Sequence, residues 1–180
     1  MAWVSSNTAL SLSMDSSANT QRHLAIERVR VRRGKIDLHV KVDINVLHVS
    51  QDQAQRVLCL LPNLQNHVCV NGAGETFGDE LLGTEQAHLL EHVIIELQGK
   101  ALLSESRVMG HTSWLVELSE TRPQGYALMR TSVAFANDFV ALQAAKDAGR
   151  IVEWSIDPQM CAEPDVSAII EHLVALSAMC

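Results

Sequence analysis

Apolar and polar residues alternate strictly between residues 36 and 44, and this alternation limits the folds open to the chain more than any other feature. Ile36, Leu38 and Val40 begin the apolar set, whereas Asp37 and His39 begin the polar one. Because successive side chains of a β-strand point to opposite faces, the run predicts a strand with one buried and one solvated face. Such half-buried strands are typical of antiparallel sheets.

The dipeptide Arg33-Gly34 joins this run to a β-prone stretch before it. We therefore expect a β-hairpin with strands at Leu24–Val31 and Ile36–Asn45. Two later β-prone stretches, Val108–Ser119 and Tyr126–Phe135, flank a second turn signal that contains proline and glycine. They predict a second hairpin.

Capping residues and helix breakers divide the rest of the chain into helices. Ser50 and Gln53 form a capping-box pattern, and Pro62 or the residues just before it should end that helix. Thr84 can cap a longer helix that Gly99 can close. The remaining predicted elements are a helix from Asn137 or Asp138 to Gly149, a short strand at Ile151–Ile156, and a last helix from Pro164 to about Met179.

This order of elements predicts the α+β class, with a mainly antiparallel sheet and helices packed on one face. Apolar residues make up 47% of the 180 residues, which is enough for the core of one domain. We expect that single domain to occupy residues 21–180. Residues 1–20 are rich in Ser, Asn and Thr and lack a signal-peptide pattern, so we expect a flexible N-terminal arm there.

Charge and cysteine patterns exclude several classes of function. The net charge is −7, and the basic residues cluster only within residues 28–35, where their alternation favours a solvated strand face. We therefore expect no nucleic-acid partner. We also expect no membrane span, because no apolar run approaches the ~18 residues of a membrane helix. Four cysteines without C-x-x-C spacing suit a reducing compartment, so we expect a cytoplasmic protein.

Residues 88–92 read His-Leu-Leu-Glu-His within a helical pattern. His88 and His92 would lie about one turn apart, so both imidazoles could bind one Zn²⁺. Glu91, beside them, could take a proton from a metal-bound water as the general base of a hydrolase. The competing interpretation is a solvated polar face, because the apolar residues of this helix fall on roughly the opposite side.

A catalytic zinc site normally has three protein ligands, and this pentapeptide supplies two. Glu96 lies ~12 Å of helix rise from His88, so one ion cannot easily bind both. We expect His67 and Cys69 to pack and hydrogen-bond in their loop, not to bind metal. The third ligand stays open among four candidates, which are Glu117, Glu120, Asp138 and His111.

Several segments of the chain together point to one known family. Residues 61–69 read L-P-N-L-Q-N-H-V-C, and residues 83–98 contain G-T followed by H-L-L-E-H-V-I-I-E-L-Q. Gly110-x-Thr112 and Gly125-Tyr126 follow in the predicted second hairpin. These segments resemble the L-P-x-L-x-x-H-x-C, H-x-x-E-H-x-x-x-E-L-Q and hairpin motifs of the cyanophycin synthetase N-terminal domain, over roughly residues 55–150.

This resemblance implies a fold similar to inverted-zincin metallohydrolases. In some synthetases the domain carries a metallopeptidase-like site that cuts cyanophycin, a poly-aspartate with arginine on its β-carboxyls, into primers. In others it chiefly holds the polymer. The full synthetase also has an ATP-grasp and a Mur-ligase-like module, for which 180 residues leave no room, so we expect a free-standing relative that does not synthesise the polymer. Two positions depart from the family pattern: His111 replaces an arginine, and Thr131 stands where the hairpin has a glutamate.

The leading hypothesis is a zinc-dependent peptidase or amidohydrolase acting on a cyanophycin-like or other peptide substrate. His88 and His92 would hold Zn²⁺, and Glu91 would be the catalytic base. The alternative is a non-catalytic module that binds a polymer or peptide, or an accessory subunit of a separate, larger ligase. A homo-oligomer is compatible with each of these hypotheses.

Overall fold

The structure, a computed structural model, describes residues 22–69, 74–102, 109–115 and 125–179. The expected N-terminal arm lies outside these ranges. The described strands are β1 (Leu24–Arg32), β2 (Lys35–Asp43), β3 (Gly110–Trp114) and β4 (Tyr126–Ala134). The described helices are α1 (Gln51–Leu60), α2 (Phe77–Glu80), α3 (Gln86–Leu102), α4 (Asp138–Ile156) and α5 (Val166–Ser177), with short 3-10 segments at Ile44–Val46 and Pro62–Asn66.

The strands form one antiparallel sheet in the order β1-β2-β4-β3. Helix α3 packs against β2, β3 and β4, and α4 packs against β1 and β2. The outer helices rest on these two, since α1 contacts α4 and α5 contacts both α3 and α4. The predicted α+β class is thus confirmed. Among the described helices, none is both long and apolar enough to span a bilayer.

The first hairpin follows the alternating pattern. Gly34 turns the chain with φ of 75°, in the left-handed region that glycine enters without steric cost. β1 then pairs with β2 so that Val29 lies opposite Leu38. The side of β2 that faces the helices is completely buried, and it consists of Ile36, Leu38, Val40 and Val42.

The other side of β2 is less solvated than predicted. Asp37 is only 3% exposed, because Arg32 Nε lies 2.6 Å from its carboxylate and Ser132 Oγ donates a hydrogen bond of 2.7 Å. Burial acts to raise the pKa of Asp37, but the Ser132 hydrogen bond and the Arg32 charge hold it below its usual value. One of the clustered arginines is therefore used within the fold.

A buried amide cluster ties α1 to the two central helices. Ser50 caps α1 by accepting a hydrogen bond from the Gln53 backbone N–H (3.2 Å), and the helix ends at Leu60, as predicted. The Gln53 side chain does not complete the capping box. Its Nε2 donates instead to Gln86 Oε1 at 2.7 Å and to Ser155 Oγ at 3.0 Å.

Two predicted helix ends are wrong, because glycine does not end either helix. Helix α3 continues through Gly99 to Leu102, and α4 continues through Gly149 to Ile156. The predicted strand Ile151–Ile156 is therefore helical. A glycine inside a helix costs only about 1 kcal/mol, which the burial of neighbouring side chains can offset. In α4 that burial comes from residues just after the glycine, such as Ile151, which is completely buried.

The last helix begins slightly later than predicted. Asp165, and not Pro164, is its N-terminal boundary residue, because the Asp165 carboxylate accepts a hydrogen bond from Ala168 N (3.0 Å). The helix ends at Ser177.

Candidate metal site

Helix α3 is buried on the face that carries its polar residues. His88, Glu91 and His92 are 6%, 5% and 3% exposed, so the interpretation as a solvated polar face is wrong. The apolar side of α3 faces the core of the domain, and α2 lies over the histidines. Phe77 of α2 stacks on the His92 ring with 3.8 Å between ring centroids and meets the His88 ring edge-on.

Cys69 joins the two histidines. Its Sγ lies 3.4 Å from His88 Nε2, and His92 Nε2 lies 3.2 Å from His88 Nε2. One ligand atom from each residue falls within 4.8 Å of the others, so this buried group could hold a metal ion. Sequence reasoning assigned Cys69 to loop packing. The signal that could have found it is the H-x-C ending of residues 61–69, which lies 19 positions before the start of the pentapeptide.

The structure brings none of the other described candidates to this group. His111 is exposed on β3, and Asp138 is exposed at the start of α4, where it accepts a hydrogen bond from Phe139 N (3.0 Å). Glu117 and Glu120 lie outside the described residues. Thr131 is buried near the start of α3, and its hydroxyl donates to the Ala87 carbonyl (3.2 Å).

Both histidine rings also have a partner on the side away from Cys69. Thr84 Oγ1 lies 2.7 Å from His88 Nδ1. His67 Nδ1 lies 3.3 Å from His92 Nδ1, and the other nitrogen of His67 lies 2.8 Å from Glu96 Oε2. Thr84 therefore contacts a ring of the helix that it was predicted to cap.

The surroundings favour neutral imidazoles. Burial lowers the pKa of His88. Burial, with the neighbouring rings of His88 and His67, lowers the pKa of His92 to about 3. The pKa of the thiol changes in the opposite direction from that of the imidazoles. Burial and the charges of Glu80 and Glu91 raise the pKa of Cys69 to about 11. Without a metal ion, both rings are therefore neutral and the thiol keeps its proton at neutral pH.

Glu91 projects from the same helix towards strand β3. Thr112 Oγ1 donates a hydrogen bond of 2.5 Å to its carboxylate, and a Cβ at Gly110 would overlap that carboxylate. Burial raises the pKa of Glu91 to about 7, although the Thr112 hydrogen bond opposes this rise. Glu91 can thus gain or lose a proton near neutral pH, as a general acid–base group must.

The donor atoms suit a divalent transition metal. Thiolate and imidazole ligands favour softer and borderline ions over Mg²⁺ or Ca²⁺, which prefer oxygen ligands. Three protein donors would leave a tetrahedral ion one open position. The residues present therefore fit a metal centre that could take water or a substrate atom.

Comparison with known protein families identifies the family of the chain. A family model described as the cyanophycin synthase-like N-terminal domain matches residues 35–157. The chain belongs to this family. The matched residues run from the start of β2 to just beyond the end of α4. They include Cys69, His88 and His92, whereas α5 lies after them. No curated protein matches the chain.

Proposed function

We propose that the protein is a zinc-dependent hydrolase of peptide or amide bonds. Cys69, His88 and His92 would hold the zinc ion, and Glu91 would be the catalytic base. The observation that carries this proposal is the convergence of three buried ligand atoms within 4.8 Å. Glu91, on the same helix as both histidines, has a charge that acts on Cys69 and a pKa that burial raises to about 7. Family membership supports a peptide or polymer as the substrate.

A bound zinc ion would supply Lewis acidity and a water of lowered pKa. The chain's own residues do the rest. Glu91 accepts a proton from the attacking water and later donates it to the leaving amine, which a pKa of about 7 permits in both directions. The Thr112 hydrogen bond and the close approach of the Gly110 backbone keep the carboxylate in place, so it needs little rearrangement during the reaction.

Metal content and hydrolysis, measured on the same untagged preparations, test the proposal. We expect about one zinc per chain in the parent protein. Glu91→Gln should keep the metal and lose hydrolysis of peptide and poly-amino-acid substrates, whereas His88→Ala should lose both. Helix α5 offers matched controls, because Glu171 and His172 are adjacent like Glu91 and His92 but exposed. Glu171→Gln and His172→Ala should change neither quantity, and zinc-dependent turnover retained by Glu91→Gln would refute the role of Glu91.

A polymer-binding module is a second candidate, and the sheet face away from the helices favours it. Register places Arg28, His39 and Arg130 side by side across β1, β2 and β4. Residues 28–35 contain five basic residues and no acidic one, in a chain of net charge −7. Burial and the charges of Arg28 and Arg130 lower the pKa of His39. This positive face suits a polymer rich in carboxylates.

Fluorescence anisotropy of labelled poly-aspartate tests this second candidate. Binding should weaken as salt rises, because the Debye length shrinks from ~10 Å at 0.1 M to ~3 Å at 1 M. Arg28→Gln with Arg130→Gln should weaken binding further, whereas Arg150→Gln on α4 should not. A protein that binds the polymer in this way but contains no zinc would favour the module over the enzyme.

A further inference from the structure

A neutral imidazole has one N–H and one lone pair, and its hydrogen-bond partner decides which nitrogen keeps the proton. In the Cys69, His88 and His92 group, the two Nε2 atoms face each other at 3.2 Å. A metal ion there needs a lone pair on both Nε2 atoms, so each ring must carry its proton on Nδ1. Whatever contacts Nδ1 therefore decides whether a ring is ready to bind.

The two rings differ in how strongly their contacts determine which nitrogen carries the proton. Thr84 contacts His88 Nδ1, and a hydroxyl can accept or donate, so it permits either form. His92 Nδ1 instead meets His67 Nδ1 at 3.3 Å. One of these two nitrogens must donate and the other accept, and the second nitrogen of His67 can settle which.

That second nitrogen meets a carboxylate. His67 Nε2 lies 2.8 Å from Glu96 Oε2, and an ionised carboxylate can only accept. Asn63 Nδ2 also donates to Oε2 (3.1 Å), and Lys100 Nζ forms an ion pair with Oε1 (3.2 Å). With these donors around it, Glu96 accepts a hydrogen bond from the Nε2–H group of His67. In the neutral His67 ring, Nδ1 then has a lone pair, which accepts a hydrogen bond from the Nδ1–H group of His92.

We infer that His67, oriented by Glu96, is a positioning residue that holds His92 with its Nε2 lone pair directed at Cys69 and His88. The Glu96 hydrogen bond keeps the His67 proton on Nε2, and His67 in turn keeps the His92 proton on Nδ1. His92 Nε2 is thereby prepared to bind a metal ion before the ion arrives. The inference rests on the proposed metal site for its purpose, but the direction of the hydrogen bonds can be tested without metal. The opposite direction would place a proton on His92 Nε2 and block it as a ligand.

The first test is the ¹⁵N spectrum of the histidine rings in chelator-treated protein, which distinguishes the two neutral forms. We expect His92 to carry its proton on Nδ1 in the parent protein. Glu96→Gln should disturb this form, because an amide can donate to His67 Nε2 and reverse the chain of hydrogen bonds. A parent spectrum with the proton on His92 Nε2 would overturn the inference.

The second test is the affinity for added Co²⁺, measured by competition with a chelator and by its absorption spectrum. His67→Ala should weaken binding about 10–100-fold, in the range of lost outer partners of metal ligands. His67→Asn should restore part of that loss, because the Asn Oδ1 can take the accepting place of Nδ1. Gln65→Ala changes an exposed side chain in the same segment and should match the parent. Unchanged affinity in His67→Ala, with the protein folded by circular dichroism, would overturn the inference.

The two tests separate this inference from the proposed function. If the spectrum shows the expected form of His92 but the parent protein binds no metal, the metal site fails while the positioning by His67 and Glu96 holds. If metal binds tightly but the spectrum shows the other form, the metal site holds and the positioning fails.

Discussion

Replacing Glu91 by glutamine should stabilise the metal-free protein at alkaline pH. Glu91 is 5% exposed, and burial raises its pKa from 4.5 to about 7. Between these two values the folded state holds a proton that the unfolded chain has released. The contribution of Glu91 to stability is therefore complete below pH 4.5 and is lost as the pH rises through 7.

The expected size follows from the shift in pKa. One pKa unit corresponds to about 1.4 kcal/mol, so the difference of roughly 2.5 units makes an ionised Glu91 cost about 3 kcal/mol of stability. Glutamine does not ionise. Between pH 4.5 and pH 8, the unfolding free energy of Glu91→Gln should therefore rise by about 3 kcal/mol relative to that of the parent protein. His92 titrates in both proteins, so its contribution largely cancels in the difference.

Urea unfolding in the presence of a chelator, followed by circular dichroism at pH 4.5, 6 and 8, measures this difference directly. Glu171→Gln is the matched control, because Glu171 is exposed on α5, and its unfolding free energy should stay close to that of the parent protein. A pH-independent difference for Glu91→Gln, or one that grows towards acid, would refute the argument that burial keeps Glu91 protonated.

Three further predictions follow from single contacts. Gly110→Ala should destabilise the protein by about 1–3 kcal/mol, because the new Cβ overlaps the Glu91 carboxylate; shortening the side chain with Glu91→Ala should relieve most of this loss in a double-mutant cycle. Metal uptake at pH 8 should release about one proton per ion, because a Cys69 thiol with a pKa of about 11 must ionise to bind. Calorimetry in buffers of different ionisation enthalpy measures this release, and Cys69→Ser should show none. Gly149→Ala should stabilise α4 by up to about 1 kcal/mol in thermal unfolding, since a Cβ there would make only an ordinary 3.7 Å contact with Ile26. A loss of stability would show that α4 lies closer to β1 than this contact distance implies.

The parts of the fold that sequence predicts well are those set by local periodicity. Alternation identified β2 and its buried face, and the Ser50 cap identified the start of α1. Glycine was a poor guide to helix ends, because whether a helix continues past Gly99 or Gly149 depends on tertiary packing of the residues beyond. Local pattern contains no information about that packing.

The candidate site likewise contains residues that local pattern can place together and residues that only tertiary packing brings there. His88, Glu91 and His92 could be found because their spacing within one helix is enough to place them together. Spacing within one helix could not place Cys69 with them, because its contact with His88 crosses 19 positions of the chain, and only the H-x-C motif points to it. The burial of the polar face of α3 also depends on tertiary packing, because an amphipathic pattern does not reveal what packs on its polar side.

X-ray absorption at the zinc edge, on protein loaded with one equivalent of zinc, tests most directly whether Cys69, His88 and His92 form the metal centre. We predict one sulfur at about 2.3 Å and two imidazole nitrogens at about 2.0 Å in the first coordination shell, with a light atom completing it. Cys69→Ser should remove the sulfur. A first shell without sulfur in the parent protein would contradict the account.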